Sequence, residues 1–239
     1  MYKRILLKLS GEALKEGSKE SILNPERVSE IASAIKVLTD AGIQVAIVCG
    51  AGNIWRGKLA QDLGFERVPA DFMGMLGTIV NAVALSSTLK TMNVEIVVFS
   101  PISPIDEVVE LYNPDRVDEV LNQNKVAFLA GGTGKPYFTT DTAATLRAIE
   151  NKCDAIFVAK NGVDGLYDSD PNKNKDAKFI KEITYKEILE LKLQVMDLSA
   201  IELLLDKNIE IRIFSMADFS NFEKIARGED VGSVCKKGN

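Results

Sequence analysis

Two kinds of hydrophobic pattern run along the chain: short runs that are apolar almost throughout, and longer stretches in which apolar residues return every three or four positions. Residues 43–49 and 94–100 are of the first kind, and residues 3–9, 125–130 and 155–159 are shorter runs of the same β-like character; they predict strands covered on both faces. The second kind begins after Asn24-Pro25-Glu26, where Val28, Ile31, Ala32, Ile35 and Leu38 recur at helical spacing until Gly42. Asn as N-cap and Pro at the first helical position mark the start of that helix, and the glycine marks its end. Further helices are predicted over 70–92, over 114–121 behind Asn113-Pro114, and over 141–150. Strands and helices that alternate in this way pair their strands in parallel, so the pattern predicts an α/β fold with a mostly parallel central sheet sandwiched between helices. Beyond Lys160, Gly- and Asp-rich turns lead to helices predicted at 188–193 and 196–206, a strand at 210–214 and a last helix at 218–227. With no repeat, low-complexity tract or separating linker, the expectation is one domain over residues 1–239.

Composition narrows the chemistry. The 239 residues suffice for a sizeable core, and 46% hydrophobic with 26% charged residues exclude a disordered or fibrous chain. A net charge of −5 gives no general attraction to nucleic acid or to anionic membranes, so any bound anion must be held by local groups. The chain has no histidine, which removes Ser-His-Asp hydrolysis, His-ligated metals and imidazole acid-base work. Cys49, Cys153 and Cys235 form no CxxC pair and read as small buried thiols in a reducing cytosol rather than as zinc ligands. Lys8 interrupts the first apolar run too early for a signal-peptide core, and no apolar stretch approaches ~18 residues; a cytoplasmic protein without a membrane span is expected.

In an open parallel sheet, ligands sit beyond the carboxyl ends of the strands. Three strands run there into glycine-containing loops: Lys8-Leu9-Ser10-Gly11, Gly50-Ala51-Gly52-Asn53 and Gly131-Gly132-Thr133-Gly134. Glycine lets backbone N–H groups approach phosphate oxygens, and a following helix N-terminus adds partial positive charge. Gly134-Lys135 is not a Walker A loop, because Leu129 and Pro136 stand where that motif needs Gly and Ser or Thr. Gly50-Ala51-Gly52 is not a dinucleotide fingerprint either, since its third glycine would fall at Trp55. Lys8 and Lys160 each end an otherwise apolar strand at this edge. Together they suit a clamp on a transferring phosphoryl group, whose transition state spreads negative charge over several oxygens; singly, each could be a charge snorkelling from a strand end.

On these residues the chain resembles the bacterial uridylate kinases of the amino acid kinase superfamily. The resemblance is carried by Lys-Leu-Ser-Gly-Glu at 8–12, Gly-Ala-Gly-Asn-Ile-Trp-Arg-Gly at 50–57, Ala-Asp-Phe-Met-Gly-Met-Leu-Gly-Thr at 70–78 and Gly-Thr-Gly-Lys-Pro-Tyr-Phe-Thr-Thr-Asp-Thr-Ala-Ala at 132–144. Val-Asp-Gly-Leu-Tyr-Asp-Ser-Asp-Pro at 163–171 and Met-Asp-Leu-Ser-Ala at 196–200 extend it over nearly the whole chain. It implies transfer of the γ-phosphoryl group of Mg-ATP to UMP in a homohexamer, with Mg²⁺ bound mainly through ATP. It further implies that Lys8, Leu9, Ser10, Gly11, Gly52 and Arg56 meet the ATP phosphates, and that Asn161, Tyr167 and Asp170 hold the adenosine part. Ala51 is implied to meet UMP through its backbone and Asp71 to take the ribose hydroxyls, as suits a carboxylate beside a vicinal diol. Thr133, Gly134, Lys135, Pro136, Tyr137, Phe138, Thr139 and Thr140 wrap the nucleotide in this reading. Lys8 and Lys160 then stabilise the phosphoryl in flight, Arg56 neutralises phosphate charge, and Asp141 orients the lysines or water around Mg²⁺.

Each of these residues also has a plainer reading. Asp141 could cap the helix behind it, and Asp71 could be a first-turn acid favoured by the helix dipole. Asp164, Asp168 and Asp170 read as turn formers rather than metal ligands, and Trp55 reads as packing. The apolar helix from 71 to 92 predicts core or subunit interface. Ala51 replaces a usual glycine, which requires a negative φ there, and Lys135 replaces a usual Asn. Residues 15–22 lack the Gly-Phe-Gly-Ile type of sequence found at the family's GTP-effector region, so activation by GTP is not expected. A carboxylate or carbamate kinase would need an acid pocket in place of the Asp71 and Thr139 region, and a non-catalytic sensor would lack Lys8 or Lys160; both lysines are present.

Overall fold

The computed structural model describes residues 2–18, 20–102 and 104–238; Lys19, within the 15–22 stretch, lies outside them. The elements in chain order are β1 (Arg4–Leu9), α1 (Gly11–Lys15), α2 (Pro25–Asp40), β2 (Gln44–Cys49), α3 (Gly57–Asp62), α4 (Arg67–Thr91), β3 (Ile96–Ser100), β4 (Glu110–Leu111), α5 (Pro114–Asn122) and β5 (Val126–Leu129). They continue with α6 (Thr140–Glu150), β6 (Ala155–Lys160), β7 (Leu166–Tyr167), β8 (Phe179–Ile180), β9 (Glu182–Thr184), α7 (Tyr185–Leu191), α8 (Leu198–Glu202), β10 (Glu210–Ser215), α9 (Ser220–Ala226) and β11 (Ser233–Lys236).

Among the described residues, nine strands form one sheet in the order β4-β3-β5-β2-β1-β6-β10-β11-β9. Every pairing in it is parallel except β10 with β11. The central strands β1, β2, β5 and β6 are buried on both faces, which is why their sequences are apolar almost without interruption. Alternate residues feed two cores. Ile5, Leu7, Val45, Ile47 and Phe157 pack with α2 and α4, whereas Leu6, Val48, Ile156 and Val158 pack with α5, α6 and α8.

The caps account for the helix starts. Asn24 and Asn113 accept N–H groups from the first turns of α2 and α5, each followed by Pro. The predicted helix at 188–193 in fact begins at Tyr185, because Thr184 and Glu187 form a reciprocal capping box. The helix expected over 196–206 is limited to α8, and α4 starts three residues earlier than expected. Helix α4 also corrects the expectation that no stretch is long and apolar enough to span a membrane: by length and composition it passes, with mean hydropathy 1.5, although half of that window is buried inside the fold. Its exposed side carries Phe72, Met73, Leu76 and Val80. The three cysteines are buried and unpaired, and burial pushes each thiol up to about 12, as expected of packing residues.

Candidate active site

Lys8 and Lys160 issue from the same side of the sheet. Lys8 pairs in register with Val158 of β6, and Lys160 lies two residues further along that strand, so the pleat directs both side chains to the face covered by α6 and α8. Asp141, in the first turn of α6, meets Lys8 with Nζ–Oδ1 at 2.6 Å; the two side chains are only 18% and 19% exposed. Asp141 Oδ2 accepts the Asp197 N–H at 3.0 Å. The cap of α6 is Thr139, whose Oγ1 accepts the Thr142 N–H, so Asp141 is not spent on capping. Lys160 Nζ donates to the Gln194 carbonyl at 3.3 Å. Burial, and then the Lys8 cation, hold the Lys160 ammonium below the usual lysine range, with Asp141 opposing them. Two lysines and one carboxylate therefore share a single electrostatic site.

The glycine loops close around it. Ser10 caps α1, and Gly11 follows where a Cβ would stand 2.4 Å from Asn53 Oδ1 and 2.7 Å from the Gly50 carbonyl. No other residue fits between those loops. Leu9 is a buried core side chain, and its carbonyl accepts the Gly50 N–H. Ala51 has no positive φ, and its methyl packs against α4 at Gly77, so the methyl is accommodated. Arg56 is exposed; it donates to the Gly52 carbonyl at 3.1 Å and pairs with Glu12.

Beside a groove lined by Asp141, Gln194 and Asp197, two cavities open on this edge. One, of about 300 Å³, is lined by Ala51, Gly52, Asp71, Thr133, Phe138, Thr139 and Thr140, together with Trp55, Arg67, Met75 and Thr78. Asp71 accepts from Arg67 Nε at 2.8 Å and from the Tyr137 N–H at 2.7 Å. Tyr137 has φ of 73°, a strained conformation held by that bond and by Arg67 over its ring. Gly134, Lys135, Pro136 and Tyr137 form the turn behind the lining, where the backbone of Lys135 closes on Thr133 Oγ1 and its side chain is exposed. Trp55 packs on Phe65 and donates to the Ala70 carbonyl.

The second cavity, of about 370 Å³, is lined by Lys160, Tyr167 and Asp170, with Leu193 and Gln194. Asn161 does not line it. Asp164, Asp168 and Asp170 do not converge: Asp164 accepts from the Tyr167 hydroxyl, Asp168 from the Lys178 N–H and Asp170 from the Asn172 N–H, the behaviour of turn formers. Sequence reasoning missed Arg67, Thr78 and the 191–194 lining. Of these only Arg67 carried a signal, standing four residues before Asp71 on one helix face.

Residues 3–215 match the model of the amino acid kinase family. A uridylate kinase of Mycoplasmopsis synoviae is 46% identical over 228 residues, covering 95% of both chains. The crystal structure of a UMP kinase from Bacillus anthracis superposes with a TM-score of 0.95 at 40% identity, covering 100% of this chain and 97% of that one. A UMP kinase from Ureaplasma parvum gives 0.92 at 35% identity over 99% and 100% of the two chains. The family match, the relatives and the shared fold together place this chain in the amino acid kinase family, in its uridylate kinase branch.

Proposed function

We propose that the chain transfers the γ-phosphoryl group of ATP to UMP, giving UDP and ADP, as a step in pyrimidine nucleotide biosynthesis. The observation that carries the reading is the position of the charge site between the two cavities. Lys160 lines the larger one, while Asp141, which holds Lys8, follows directly on Thr140 of the smaller one. The smaller cavity offers Asp71, threonine hydroxyls and free loop amides to UMP, and the larger one offers Tyr167 and Asp170 to the adenosine of ATP. The phosphate oxygen of UMP is already ionised, so attack on the γ-phosphorus requires no general base, consistent with a chain without histidine. As the bond to the β,γ-bridging oxygen breaks, Lys8 and Lys160 face the charge that spreads over the transferred group, and ADP leaves with the electron pair.

Mg²⁺ fits this donor set as an ion delivered on the nucleotide. Asp141 is the carboxylate beside the lysines, and among the described residues no group of three or more His, Cys, Asp or Glu side chains converges. When bound, the ion supplies Lewis-acid neutralisation of the phosphate oxygens. Asp141, for its part, orients Lys8. The exposed apolar side of α4, continued by Leu59, Leu63 and Phe65, supports assembly into a homohexamer. The buried, unpaired thiols and acidic charge support a single-domain cytoplasmic enzyme acting on free nucleotides, with neither nucleic acid nor membrane as partner. A coupled ADP-release assay with ATP, Mg²⁺ and each nucleoside monophosphate tests the reading: UMP should be the preferred acceptor, and absence of ADP release with UMP would overturn it.

A further inference from the structure

Two side chains that line neither cavity are buried against the backs of the glycine loops. Asn81, on the inner face of α4, is fully buried. Its Nδ2 donates to the Gly50 carbonyl at 2.8 Å and to Asn53 Oδ1 at 2.9 Å, and its Oδ1 accepts from Asn53 Nδ2 at 2.9 Å. Asn53 in turn donates to the Ile22 carbonyl at 2.7 Å. On the far side of the cavity Arg147 of α6 is 3% exposed. It donates to the Gly132 carbonyl at 3.0 Å, pairs with Glu150, and lies 3.8 Å from the centroid of the Tyr112 ring.

Both contacts act on a peptide carbonyl. In a planar trans peptide the C=O of one residue and the N–H of the next point in opposite directions. A donor that fixes the Gly50 carbonyl toward α4 therefore turns the Ala51 N–H the other way, and one that fixes the Gly132 carbonyl toward α6 does the same for Thr133. Ala51 and Thr133 both line the smaller cavity, and neither N–H has a protein partner among the described residues. Gly132 has φ of 60°, which glycine adopts without strain, so the direction of its carbonyl is set by the Arg147 contact. From the third direction Thr78 Oγ1 accepts the Gly131 N–H at 2.7 Å, which pins the start of the same loop.

We infer that Asn81 and Arg147 are positioning residues for the acceptor nucleotide: from opposite sides they lock two loop peptides so that the amides of Ala51 and Thr133 are presented as fixed hydrogen-bond donors to UMP. The inference rests on the acceptor reading of the smaller cavity. It separates these residues from ordinary core polar groups, because what they stabilise is the aim of a donor rather than the fold alone.

The test is calorimetric titration of UMP and, separately, of the non-hydrolysable ATP analogue AMP-PNP into the parent chain and into Asn81→Ala and Arg147→Lys, each checked by thermal unfolding. Lysine at 147 retains the charge beside Glu150 but lacks the guanidinium fork that reaches Gly132, so it also serves if Asn81→Ala does not fold. UMP should bind about tenfold more weakly or worse to each folded variant, the effect of one lost or misaimed buried hydrogen bond, while AMP-PNP stays within twofold for Arg147→Lys. A folded variant that binds UMP within twofold of the parent would overturn the inference, as would equal weakening of both ligands by Arg147→Lys. A parent chain that binds AMP-PNP but not UMP would instead overturn the acceptor reading itself, and this inference with it.

Discussion

Replacing Lys8 by Met removes one ammonium from the shared charge site while keeping the length of the side chain. At 2.6 Å from Asp141 and an effective dielectric of about 20, the attraction between the two unit charges is about 6 kcal/mol, most of it offset by desolvating two partly buried ions. Asp141 keeps the Asp197 N–H and some solvent contact, so the loss of folding stability should be about 1–2 kcal/mol. The catalytic loss should be larger. A preorganised charge aimed at the transferred phosphoryl contributes about 3–4 kcal/mol, roughly 10²- to 10³-fold in kcat, whereas KM for UMP should change little because UMP is held by the other cavity wall. Steady-state ADP release, with thermal unfolding as the control for folding, measures both numbers. Turnover within a few-fold of the parent, in a folded variant, would refute the role given to Lys8.

Four further outcomes follow from the same geometry. Because burial and Lys8 lower the Lys160 pKa, its ammonium is lost on alkalinisation before an ordinary lysine would titrate, so kcat should fall below pH 10.5. At Lys160 itself the unfolded chain binds more protons than the folded one over that window, so this group's own contribution to stability rises with pH, but the three thiols that burial holds protonated act the other way and make stability fall as pH rises above 9; the pH–rate profile is therefore the readout, and Lys8→Met should shift its alkaline limb upward. Asp71→Ala, read by UMP titration, should weaken UMP at least tenfold through loss of its own contact and release of the Tyr137 turn, while AMP-PNP binding is retained. Gly11→Ala drives a methyl into Asn53 and Gly50 and should cost about 1–3 kcal/mol by chemical denaturation, with activity lost at the same time. Leu76→Glu, on the exposed apolar side of α4, should reduce the assembly size seen by light scattering.

The central sheet was legible because strands buried on both faces must be apolar on both faces, and β1, β2, β5 and β6 are. The strand-end lysines were legible for the complementary reason: a charge that ends such a run must find solvent, a partner or a ligand. Two-residue strands such as β4 and β7 are too short to carry a period, and exist because neighbouring backbone offers them a ladder. The capping box at Thr184 and Glu187 was present in the sequence, but was masked by the apolar spacing that begins at Ile188. Asn81 and Arg147 left no signal at all. An Asn or Arg in an amphipathic helix looks like any solvated polar residue until the fold brings a loop carbonyl against it.

The account as a whole depends on two ammonium groups reaching the same phosphate. A crystal structure of the chain with UMP, Mg²⁺ and AMP-PNP measures this directly. The account predicts Lys8 Nζ and Lys160 Nζ each within about 3.2 Å of oxygens of the γ-phosphate, with UMP in the cavity beside Asp71. A complex in which the γ-phosphate meets neither lysine, or in which UMP occupies the Tyr167 and Asp170 cavity, would contradict it.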